Sequence, residues 1–151
     1  MLKSMFVGAA ALMLSAGAAA AGEWEAIAIS DNAVMAVDWQ SMRINGSMRR
    51  INTALVAVEP EPGQFDWATS LLDVDCSRPR YRTIQSSFYF IDGSSASDDF
   101  IGDDSWTDIN SGSLMEDMRS EVCAASAGKE GYFDDPQTFA INARRVMLEA
   151  Q

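Results

Sequence analysis

The sequence predicts an α+β domain: a mainly antiparallel β-sheet, a helix disulfide-bonded to one face of it, and an additional C-terminal helix. Three observations carry this prediction. Strand-like apolar runs separated by turn signals extend from Trp24 to Phe90, the period becomes helical beyond Trp106, and each region holds one cysteine, Cys76 and Cys123. At 151 residues, 48% of them apolar, the chain suffices for one compact domain with a core.

Residues 1–21, MLKSMFVGAAALMLSAGAAAA, read as a secretory signal peptide: Lys3, an apolar run from Met5 to Leu14, then small residues ending in A-x-A sites. The run is short and interrupted by Ser15 and Gly17, which argues against a membrane anchor. No Cys follows it, so a lipoprotein is not expected. The expected location is the periplasm, the medium or the cell surface, with no membrane span. Residues 22–128 then form the main domain, and residues 129–151 a linker and an amphipathic helix.

Trp24 to Ile29 alternates, with Trp24, Ala26 and Ala28 on one face, and Asp31-Asn32 turns it into a second run, Val34 to Trp39. Asn45-Gly46 is a type I′ turn signal, because both central residues of that turn need positive φ. It should join Gln40–Ile44 to Met48–Val58. Glu59-Pro60-Glu61-Pro62-Gly63 is an exposed loop, since prolines remove ladder donors. Ala68–Cys76 and Arg80–Phe90 follow as strands, separated by Ser77-Arg78-Pro79 and closed by Asp92-Gly93. Ser94 to Asp104 reads as a mobile loop or a weak edge strand.

Ser113 with Glu116 forms a capping box that opens a helix running to about Ala127, with Gly128 as its stop. Leu114, Met115, Met118, Val122 and Ala125 make its apolar stripe. Asp135-Pro136 caps a last helix through Phe139, Ala143, Val146, Met147 and Ala150, which packs on the domain or serves a dimer or partner contact. In an oxidising compartment two cysteines without a redox motif read as one structural bridge, tying the first helix to the strand that ends at Cys76.

Charge and composition narrow the function. The net charge is −11, with a pI of about 4.2, which disfavours nucleic acid as a partner. There is no His, which removes Ser-His-Asp and Cys-His catalysis and His-ligated zinc or haem. Three of the nine Met lie in the leader, and the other six are spread among strands and helices as core filling rather than a copper site.

The order of several short pieces resembles the surface-adhesin protein E family, over roughly Trp24 to Cys123. These pieces are Trp24-Glu25, Asp38, Leu72-Asp73-Val74-Asp75-Cys76, Arg80-Tyr81-Arg82, Trp106, Ile109, Gly112-Ser113 and Val122-Cys123. The resemblance implies about six antiparallel strands with a helix disulfide-bonded across one face. It also implies a surface adhesin that binds host matrix proteins, as a homodimer. The C-terminal helix is extra to the family pattern, and no ligand-binding motif is matched, so no functional residue is carried over.

Arg78, Arg80 and Arg82, with Tyr81 between, hold the densest positive charge in the chain, a pattern suited to a carboxylate or aromatic group or to structural ion pairs. Arg49 and Arg50 extend this candidate binding patch if their strand is a neighbour. Asp73 and Asp75 share a strand face and could be paired catalytic carboxylates, but partnership with arginine accounts for them better. Asp98, Asp99, Asp103 and Asp104 do not have EF-hand spacing and read as a solvated loop.

The expected protein is therefore an exported, non-enzymatic binding module without metal or cofactor, whose partner is a protein such as an extracellular matrix or envelope component. The alternative is an acidic periplasmic inhibitor of a basic secreted hydrolase, steered by charge.

Overall fold

The computed structural model describes residues 21–151, so the signal peptide expected at residues 1–21 lies, but for Ala21, outside the described residues. Five long strands are joined as hairpins: β1 (Trp24–Ile29), β2 (Ala33–Asn45), β3 (Met48–Ala57), β4 (Trp67–Asp75) and β5 (Arg80–Tyr89). Two short strands, β6 (Phe100–Ile101) and β7 (Thr107–Asp108), both pair with β5, so the acidic segment supplies a weak edge strand. The seven strands make one antiparallel sheet, with β1 to β6 in sequence order and β7 beside β5 off that path. The helices are α1 (Leu114–Ala124) and α2 (Pro136–Glu149). The α+β fold expected from the sequence, with its disulfide-bonded helix and extra C-terminal helix, is present.

Each face of the sheet carries one helix over an apolar core. Side chains alternate across a strand, so Val37, Trp39, Ile51, Leu72 and Val74 pack under Met118 and Val122 of α1. Their strand neighbours Val34, Ala36, Ala54, Val56 and Trp67 pack under Phe139 and Ala140 of α2. This explains β2, which is buried almost continuously from Val34 to Trp39 rather than on alternate residues.

Three irregularities redistribute side chains between the faces, one each in β1, β2 and β5, the last with Ile84 as an extra residue opposite the Leu71–Leu72 step. In β1 the register shifts between Ala26 and Ala28, so Trp24 joins the α2 side and Ala28 the α1 side, where uninterrupted alternation would keep them together. In β2 the two runs expected from the sequence are a single strand. Asp38 faces Asn52 and Arg43 faces Arg50, so β2 carries surplus residues between those pairs. The parity of β2 inverts there, and Met42 enters the α1 core while Arg43 turns to the α2 side.

The turn after β2 differs from the expected one by a residue. Asn45 pairs with Met48, leaving Gly46 and Ser47 as the central residues, and only Gly46 has positive φ, 57°. That is the glycine-first pattern of a type II′ turn.

Helix α1 opens at Ser113, whose Oγ accepts the Glu116 N–H at 3.3 Å. The Glu116 carboxylate reaches back one residue further than in a capping box, accepting the Gly112 N–H at 2.6 Å. The helix ends at Ala124, short of Ala127, because Ala125 leaves it in extended conformation to bury its methyl group in the α1 core. Gly128 lies beyond the helix, against the Trp39 carbonyl, where a Cβ would come within 2.6 Å of the oxygen. From there residues 125–135 pass around the free edge of β1. Tyr132 N–H donates to Trp24 O, and Gly22 N–H to Asp134 O, which delivers the chain to α2 on the opposite face. Cys76 and Cys123 form the expected disulfide, with their Cα atoms 5.5 Å apart. Arg119 of α1 reinforces it, donating to the carbonyls of Asp75 and Cys76 at 3.0 and 2.7 Å.

Candidate functional site

Helix α2 covers only one end of its sheet face. Its aromatic anchor Phe139 packs in the cluster containing Trp67, and six residues further along β4, about 20 Å at the usual rise, Asp73 lies in an open, charged region. Strand register builds this region. Arg43 of β2 faces Arg50 of β3, which faces Asp73 of β4, which faces Arg82 of β5, giving one row across four strands.

Asp73 is the hub of the row. Arg50 Nε and Nη2 donate to its two oxygens at 2.7 and 2.8 Å, and Arg82 Nε and Nη2 both donate to Oδ2, at 2.9 and 2.8 Å. The carboxylate is buried while Arg50 remains half exposed, so the cations screen the acid from solvent. Hydrogen bonds from Arg50 hold the Asp73 carboxyl below its ordinary pKa, aided by Arg82 and opposed by burial.

Asp75, two residues on, organises the β4–β5 turn. Its Oδ1 accepts the Ser77 hydroxyl at 2.6 Å and the Ser77 and Arg78 N–H groups, while Oδ2 accepts Arg80 Nε at 2.9 Å. The Ser77 hydroxyl is the chief cause that brings its pKa down to about 2, with Arg80 and the two N–H groups assisting against burial. A general acid needs a raised pKa, whereas both of these carboxyls remain ionised at neutral pH.

Trp106, between β6 and β7, lays its ring against the arginines. The guanidinium carbons of Arg80 and Arg82 lie 4.5 and 5.2 Å from the ring centroid. A cleft of about 460 Å³ opens between this ring, Met48 and the arginine row.

The sequence-derived patch is divided by the sheet. Arg50, Arg80 and Arg82 share the open face. Arg49 and Tyr81 flank Val74 on the other face, where Tyr81 packs against the α1 core and Arg49 Nη1 donates to the Gly46 and Met48 carbonyls. Arg78 is exposed in the turn. In the acidic segment Asp103 accepts the Ser105 hydroxyl, and Asp104 lies 3.5 Å from Arg82.

Two contributors were absent from the sequence-derived patch. Arg43 was hidden by one residue of register: pairing outward from the expected Asn45-Gly46 turn sets it opposite Met48, and the observed Gly46-Ser47 turn sets it opposite Arg50. Trp106 reaches the arginines through a loop closure that no local pattern signals.

A family model described as surface-adhesin protein E matches residues 24–124. The chain belongs to the surface-adhesin protein E family. The match to surface-adhesin protein E spans β1 through the last residue of α1 and so includes both cysteines, the arginine row and Trp106, while α2 lies beyond it. No curated protein matches the chain. Among the described residues no helix is long and apolar enough to cross a membrane.

Proposed function

We propose that this chain is an exported, non-enzymatic adhesion module that binds a protein partner, an extracellular matrix or envelope component, through the open end of its α2-side sheet face. The observation that carries this reading is the row Arg43, Arg50, Asp73 and Arg82, in which two guanidinium groups hold one carboxylate and a third, that of Arg43, lies beside Arg50, in a chain of net charge −11. Membership of a surface-adhesin family supports the binding role, and residues 1–21 support export without lipidation. Ion-paired arginines that are partly exposed are suited to recognition because their geometry is set before a ligand arrives.

Protease shaving of intact producing cells, followed by cross-linking of the native protein, tests this reading. Release of its peptides from the cell surface and capture of a matrix or envelope protein are expected. Recovery solely in the soluble periplasm, cross-linked to a basic hydrolase, would overturn it in favour of an inhibitor.

A further inference from the structure

We infer that the cleft between Trp106, Met48 and the arginine row receives an aspartate or glutamate side chain of an acidic protein segment, together with an adjacent apolar side chain. This deepens the adhesion reading and rests on it only for the biological setting. Arginine donors are left over after the internal ion pairs are made. Arg50 spends Nε and Nη2 on Asp73, and its Nη1 has no partner among the described residues. Arg43 is exposed and uses Nη1 on the Gln40 and Met42 carbonyls, so its Nη2 is likewise available. Both residues line the cleft. Arginine N–H groups held in a fixed plane match a carboxylate in geometry and charge.

One acid of the chain, Asp104, already approaches the row at its Arg82 end. Its side chain is 84% exposed and reaches Arg82 Nη1 at 3.5 Å, a long contact in water-accessible surroundings. Surface pairs of this kind contribute little, so an incoming acid can displace Asp104 at small cost. The walls discriminate among anions. Met48 and the Trp106 ring offer apolar surface beside the guanidinium groups, which suits an acid flanked by a phenylalanine or leucine better than a uniformly hydrophilic sulfated glycan.

The test uses the full exported chain and a labelled peptide, Gly-Asp-Phe-Glu-Phe-Gly, beside its counterpart with Asn and Gln in place of the acids. Binding of the acidic peptide alone is expected, weakening as salt screens the contact. Arg43→Gln, which leaves the Asp73 ion pairs intact, should weaken it about tenfold. Asp104→Asn should tighten it about threefold by removing the competing charge; Asn tolerates the positive φ of 66° at that position. The opposite signs of the two variants separate a binding role from a structural one. Equal binding of both peptides, no measurable binding, or insensitivity to both variants would overturn the inference. Displacement of the peptide by an equimolar heparin fragment would overturn the peptide assignment in favour of a glycan. None of these outcomes depends on where the protein is found by shaving, so failure here and failure of the adhesion reading are separately visible.

Discussion

Arg50 and Asp73 face each other across β3 and β4 and meet through two parallel hydrogen bonds of 2.7 and 2.8 Å, one to each carboxylate oxygen. The acid is 5% exposed and the arginine side chain 48% exposed, so the pair sits at the boundary between core and solvent. Its Coulombic attraction is therefore stronger than that of a surface pair, and its desolvation cost smaller than that of a fully buried one. Arg82 completes the arrangement from the other side.

The two members of this pair should differ in their response to mutation. Asp73→Asn leaves two guanidinium groups without their shared counter-charge and should destabilise by about 2–4 kcal/mol. Arg50→Ala leaves Asp73 still held by Arg82 and should cost about 1 kcal/mol or less. Urea unfolding of both variants checks the order, and an Arg50 variant costing more than the Asp73 variant contradicts it.

Acid should weaken the fold through Asp75. Its carboxyl titrates at about 2 in the folded chain against an ordinary value of 3.8. The folded state therefore binds the proton less readily than the unfolded state, and stability rises with pH across that interval. The contribution is fully present above pH 3.8 and is lost as pH falls toward 2. Asp75→Asn should flatten the acid limb of stability between pH 4 and 2, as followed by denaturant titration, while lowering stability at neutral pH.

Replacing both cysteines by serine should lower stability by about 4 kcal/mol in the chain-entropy treatment of the loop, given the separation of 47 residues between them. Unfolding of the double variant should match that of the reduced native chain. The α1 stripe of Met118 and Val122 continues to hold the helix, so a shifted but cooperative transition is expected.

On the opposite face, Phe139 anchors α2 at 2% exposure. Its ring lies 5.6 Å from Phe133 in edge-to-face geometry, within the cluster that includes Trp24 and Trp67. Phe139→Ala should cost about 3–5 kcal/mol, whereas Val146→Ala, at a residue 54% exposed, should change stability by about 0.5 kcal/mol or less. Thermal unfolding of the two variants separates an anchored helix from a loosely attached one.

Strands and helices were legible because their signals are local. Alternation, Asp-Asn and Asn-Gly turns, the Ser113 cap and the Asp135-Pro136 start each act over a few residues. Register was less legible. Asn45-Gly46 announces a hairpin, but the turn uses Gly46-Ser47, and one residue decides which side chains face each other. The irregularities in β1, β2 and β5 were hidden because none of them carries a glycine or proline, the residues that mark a bulge locally.

From the sequence alone follow the α+β class, the two helices and the pairing of the only two cysteines, because composition, periodicity and capping are properties of neighbouring residues. Tertiary structure decided the site. Whether Arg50 and Arg82 meet depends on β4 lying between them with Asp73 in register, and whether Arg43 joins them depends on the β2–β3 turn falling at Gly46-Ser47. Trp106 closes against Arg80 and Arg82 only after β6 and β7 have paired with β5. These contacts are long-range, and their energies appear only once the sheet has assembled and the neighbouring charges share one partly desolvated surface.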